Sequence, residues 1–135
     1  MMHADFIENI PRFIEQLKNI HWLNPLELNF DENSLYYIDN TIIPLFNKGT
    51  LTMEDLTAVS LPLIAYCGET YIRNHGGEWK MVEDKGRFYA IIIREGKQTN
   101  LVAMVLDTFL YFNDDELPSV ASGYFAVADN FFQMD

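Results

Sequence analysis

The chain has 135 residues, 49% of them hydrophobic and 14% aromatic, and a formal net charge of −11. That length suits one domain rather than two, and the apolar content argues against disorder, because enough surface can be buried to offset the entropy of ordering the chain. So much negative charge repels nucleic acid and anionic lipid, and no apolar run is long enough to span a bilayer, so neither nucleic acid nor membrane is expected as a partner.

The setting follows from the same inventory. The opening Met1-Met2-His3-Ala4-Asp5 has neither a basic n-region nor an apolar h-region, so no secretory signal is expected. Cys67 is the sole cysteine and cannot form an internal disulfide, which makes a reducing, cytoplasmic location the default. The charge is unevenly spread. Residues 1–67 set nine acids against Arg12, Lys18 and Lys48, and beyond Lys97 six acids follow with no Lys or Arg. Such a surface either keeps an aromatic-rich protein soluble or meets a basic partner.

In chain order, Phe6, Ile7, Ile10, Phe13, Ile14, Leu17 and Ile20 recur at helical spacing and predict a first helix over residues 5–20. Pro11 requires either a short turn before a helix that begins near it, or a kink. Leu26, Leu28 and Phe30 alternate with polar residues as in a short extended segment. A second helix is expected after the cap candidates at residues 31–34, with Leu35, Ile38, Ile42 and Leu45 inward and Pro44 and Asn47-Lys48-Gly49 near its end. Thr52-Met53-Glu54-Asp55 resembles a capping box opening a third helix, which Pro62 kinks or splits and Gly76-Gly77 stops.

The pattern then changes period. Residues 78–83 and 87–94 flank Asp84-Lys85-Gly86, which predicts a hairpin, and the run from Phe88 to Ile93 is apolar on both faces, as in a central covered strand. Residues 101–112 read as a helix, with a strand followed by a helix as the alternative. Residues 113–118 form an acidic loop, and Val120, Tyr124, Val127, Ala128 and Phe131 suggest a last helix. The expected fold is a single α+β domain over residues 1–135, with N-terminal helices, a central β-hairpin or small antiparallel sheet, and C-terminal helices.

The densest polar segment is Gly68-Glu69-Thr70-Tyr71-Ile72-Arg73-Asn74-His75-Gly76-Gly77-Glu78-Trp79. Each residue has a structural explanation. Gly68 lets another element approach the helix, Glu69 and Arg73 sit at the i,i+4 spacing of a surface ion pair, a glycine ends the helix, and Trp79 enters the core. The functional reading makes Glu69, Arg73 and Glu78 a recognition cluster. This segment resembles a helix-to-strand segment of several uncharacterised families of small bacterial proteins, some of them immunity-like proteins that neutralise toxins. There a Gly-Glu pair late in a helix precedes a basic residue, glycine, and a Trp that opens a strand. The resemblance covers residues 61–93 and gives no agreed activity and no catalytic residue to carry over.

Other chemistry finds little footing. Gly76-Gly77 follows a helix, at the negative end of its dipole, and is a poor phosphate cradle. Cys67 and His75 are separated by about 12 Å of helical rise, too far for a nucleophile–base pair. His3, His21 and His75 show no metal spacing, no G-x-S-x-G element is present, and no metal or cofactor is predicted. Asp114, Asp115 and Glu116 form the sharpest acidic run, which reads as a solvated loop or as an electrostatic contact with Phe112 and Leu117 as apolar anchors. The sequence therefore favours a non-enzymatic protein-binding domain, immunity-like, facing a basic toxin. A small enzyme with dispersed polar residues, and an accessory or structural oligomer, stay open as alternatives.

Overall fold

A computed structural model describes residues 2–133 and gives an α+β fold, with a three-stranded antiparallel sheet between helical segments. A 3₁₀ turn at Ile7–Asn9 leads into α1 (Ile10–Lys18), so Pro11 sits in the first helical turn, where its missing N–H is harmless. The alternating stretch after Trp22 is not extended. Pro25–Glu27 is a 3₁₀ turn capped by Asn24, whose side chain accepts from the Leu26 N–H at 3.1 Å, and Leu26 is exposed while Leu28 is buried. Local Asn-Pro turn chemistry here outweighs the apparent two-residue period.

Helix α2 (Asn33–Asn47) begins inside the polar cluster, where the Asp31 side chain accepts from the Asn33 N–H. Leu35, Ile38 and Ile42 face the core, and the helix runs through Pro44 to Asn47. The capping box is present at α3 (Met53–Ala58): the Thr52 N–H donates to Asp55 Oδ2 at 2.8 Å, and the Asp55 N–H donates back to Thr52 Oγ1 at 3.3 Å. The predicted third helix is split at Val59, and α4 (Ser60–His75) carries Pro62 in its first turn.

Nine of the sixteen residues of α4 are buried, an apolar surround that only a central helix tolerates. One core gathers α2, α4, α5 (Leu101–Phe109) and α6 (Val120–Ala128), and a smaller one joins Phe6, Ile10 and Ile14 to Ile64, Ala65 and Ala90. The sheet has the order β1 (Glu78–Asp84), β2 (Arg87–Arg94), β3 (Lys97–Thr99). Two-residue turns close both hairpins, with positive φ at Lys85 and Gly86 and at Glu95 and Gly96, the mirror-type geometry that matches strand twist. The strand β3 was not separated from α5 by sequence pattern, because Lys97, Gln98 and Thr99 carry no apolar alternation. β2 is central as expected, although Tyr89 on it is exposed.

Candidate functional site

The residues singled out around the end of α4 are tied into the scaffold. The Trp79 ring lies directly over Gly68, where an added Cβ would meet Cζ2 at 2.0 Å. Its indole N–H donates to Glu69 Oε2 at 2.9 Å, and Phe6 meets its ring edge-on at 5.7 Å. Trp79 is half-buried rather than fully enclosed, touching both cores. Glu69 and Arg73 do not form the expected ion pair. Glu69 is held by Trp79, and the Arg73 guanidinium stacks 3.6 Å over the Phe30 ring, an interaction that stays favourable when exposed. Glu78 is exposed and opens β1 opposite Ile93. These three residues therefore make separate contacts within the fold.

A second constellation escaped the sequence reading. Glu32 Oε2 accepts from the Tyr124 hydroxyl at 2.7 Å and lies 2.8 Å from His75 Nε2. The Tyr71 ring sits 5.1 Å from His75 and 5.9 Å from Tyr124, and its hydroxyl accepts from Arg94 at 3.2 Å. Burial, followed by the hydrogen bond and charge of Glu32, pushes the Tyr124 hydroxyl up, so it remains a neutral donor. The cluster pins the start of α2 to the end of α4 and to α6, and its residues are absent from the walls of the groove described below. Glu32 and Tyr124 lie far apart in sequence and leave no local spacing to find them by.

Two further groups perturbed by burial are structural. Asp39, within α2, accepts from Val120 N at 2.8 Å, Ala121 N at 3.2 Å and Ser119 Oγ at 2.6 Å, so it caps α6 from a neighbouring helix. Burial, first, and then the nearby Asp39 carboxylate push the Cys67 thiol up, which leaves it an inert core residue as expected. Among the described residues, no group of three or more His, Cys, Asp or Glu side chains is arranged to hold a metal ion.

The open surface lies elsewhere. A groove of about 610 Å³ runs between α1, the start of α4, the start of β2 and α5. Phe13, Leu61, Phe88 and Leu106 line it, Tyr89 and Tyr111 stand on its rim, and Arg87 is its one charged wall residue. Tyr111 is 72% exposed. Just past it, Asp114, Asp115 and Glu116 are exposed on a loop braced by Asn113, whose side chain donates to Glu116 Oε1 at 3.2 Å. Of the two expected anchors beside these acids, Leu117 faces solvent but Phe112 turns inward, edge-on to Phe46 at 5.9 Å. Phe46 lies at the C-terminal end of α2, and Phe30, under Arg73, precedes its N-terminal end. The helix's fifteen residues, about 22 Å of rise, thus separate the acidic loop from the Glu69–Arg73 region. Asp39, Tyr66, Cys67 and Tyr124, the groups with shifted pKa values, are absent from the groove wall.

No helix among the described residues is long and apolar enough to cross a membrane. Comparison of the chain with protein-family models, with curated proteins and with solved structures finds no match.

Proposed function

We propose that this chain is a non-enzymatic protein-binding domain that receives a basic partner on the surface joining the Tyr89–Tyr111 groove to the acidic loop. The observation that carries the reading is Tyr111, an exposed aromatic that lines an apolar groove and stands three residues before the acidic run of Asp114, Asp115 and Glu116. Exposed aromatics beside a groove supply the anchoring contacts of protein interfaces, and one-signed charge nearby steers the partner in. The perturbed ionisable groups support binding over turnover, since they cap helices and fill the core instead of lining the groove. A toxin-neutralising, immunity-like role is the finer reading. It draws on the net charge of −11 and on the resemblance of residues 68–79 to immunity-like proteins.

A photo-crosslinking amino acid placed at Tyr111 in the native host identifies the partner, and surface-binding kinetics then test the mechanism. The association rate is expected to fall steeply with salt, because the Debye length is only about 10 Å at 0.1 M. The combined change Asp114→Asn, Asp115→Asn and Glu116→Gln slows association more than it speeds dissociation, and leaves folding intact because exposed loop charges contribute little stability. An association rate indifferent to both salt and the triple change would sink the electrostatic part of the reading.

A further inference from the structure

The sheet has an unfinished edge beside the same groove. β3 pairs with β2 only from Ile92 to Arg94, which leaves residues 87–91 of β2 without a strand on that side among the described residues. The tight turn makes Arg94 and Lys97 the hydrogen-bonded closing pair, so the even-numbered residues of β2 direct their N–H and C=O groups toward β3. By the same alternation, Phe88 and Ala90 direct theirs past the end of β3. Among the described residues, Met2 stands there. It bridges Phe88 in antiparallel sense, and its thioether sulfur accepts from the Ala90 N–H at 3.1 Å. A thioether is a weak acceptor, and Ala90 is 1% exposed, so a buried backbone donor is held by a poor substitute for a carbonyl.

The space along this edge is open. A second cavity of about 250 Å³ lies between Tyr89, Ala90 and Ile91 on one side and the start of α5 on the other. It shares Tyr89, Val102 and Leu106 with the larger groove, so the two cavities adjoin along the strand. The outer edge of β1 differs: it presents exposed Lys80, Glu83 and Asp84, charges of the kind that discourage strand addition.

Building on the protein-binding reading, we propose that residues 87–91 of β2 accept an extended segment of the partner protein as an added strand, in the place held by Met2. The strand's backbone satisfies Phe88 and Ala90, its apolar side chains enter the two adjoining cavities, and basic residues at its end lie toward Asp114, Asp115 and Glu116. This is strand addition, in which main-chain hydrogen bonds supply affinity and alternate side chains supply selectivity. The groove wall itself is charged only at Arg87, so the charge that favours a segment mixing lysine or arginine with apolar residues is that of the exposed acidic loop, which follows Tyr111 in the chain and takes the basic end of the segment outside the cavity.

The test uses the full chain, ¹⁵N-labelled, titrated with an end-capped peptide of alternating lysine and valine. Two further versions are N-methylated, one at every valine and one at every lysine, so that each loses the hydrogen bonds of one strand edge while keeping its side chains. The Phe88 and Ala90 amides are expected to shift on titration with the parent peptide. One methylated version loses affinity by about tenfold or more, the scale of one or two backbone hydrogen bonds, while the other retains it. Met2→Ala tightens the parent peptide about threefold by removing the thioether that holds the Ala90 N–H, while the Met2 backbone bridge to Phe88 is kept. If the two methylated peptides behave alike, or if Tyr111 responds while Phe88 and Ala90 stay silent, strand addition is overturned and side-chain docking in the groove stands. A peptide that moves none of these signals also overturns strand addition, whereas the protein-binding reading is decided separately by the salt dependence measured with the crosslinked partner.

Discussion

Trp79→Ala is expected to destabilise the fold by about 3–4 kcal/mol, the lower part of the range for large aromatic truncations because the ring is half-buried. The indole bridges both cores, its N–H is tied to Glu69, and its six-membered ring rests where the Gly68 side chain would be. Gly68→Ala places a methyl 2.0 Å from Trp79 Cζ2 and 2.2 Å from Cη2. The ring cannot retreat freely, since Phe6 and Glu69 hold it, so this overpacking costs about 2–3 kcal/mol. In the Trp79→Ala background the clash is gone, and Gly68→Ala instead gains up to about 1 kcal/mol from the higher helix propensity of alanine. Urea denaturation of the four proteins gives the coupling directly, with unchanged m-values as the check on two-state behaviour. Costs that simply add would show that the ring does not rest on Gly68.

The features legible in the sequence were those written locally. The Thr52–Asp55 capping box, the Gly76-Gly77 stop and the Asp84-Lys85-Gly86 turn each place their chemistry within a few residues, and each is found in the structure. Pro11 and Pro62 marked real helix starts, but the choice between a kink and a break depends on what the preceding turn packs against, which local pattern does not encode. The three-residue strand β3 was lost because its pairing is set by the Glu95-Gly96 turn and by Thr99, whose hydroxyl donates to the Ile92 carbonyl at 3.0 Å.

The candidate surface was legible by half. Net charge and the absence of basic residues after Lys97 pointed to the acidic loop, and the loop is exposed as expected. The groove beside it is assembled from Phe13, Leu61, Phe88 and Leu106, on four separate elements, so each reads in the sequence as an ordinary core position. Glu69 and Arg73 had the spacing of an ion pair, yet an indole N–H and an aromatic face outcompete a solvated pair worth only a few tenths of a kcal/mol.

Asp39→Ala is expected to cost about 3–5 kcal/mol, because the carboxylate is the acceptor for two buried backbone donors and a serine hydroxyl. Val120 is fully buried and Ala121 nearly so, which leaves no water to replace the lost acceptor at the first turn of α6. Asp39→Asn keeps one acceptor oxygen, suited to the Val120 N–H, and turns an amide toward Ala121, so its cost is smaller, about 1–2 kcal/mol. The pH dependence has an unusual sign. Burial raises the Asp39 pKa above its ordinary range, against the opposing hydrogen bonds from Ser119, Val120 and Ala121. The folded state therefore holds this proton at pH values where the unfolded chain has released it. The Asp39 contribution to stability is full below the ordinary aspartate pKa, declines as pH rises through the raised value, and is constant above it. Relative to Asp39→Asn, the unaltered protein should lose stability with rising pH across that window, the reverse of a salt-bridged carboxylate. Urea melts of both proteins from acidic to neutral pH measure the difference, and a wild-type advantage that grows with pH would show that the three hydrogen bonds outweigh burial at this site.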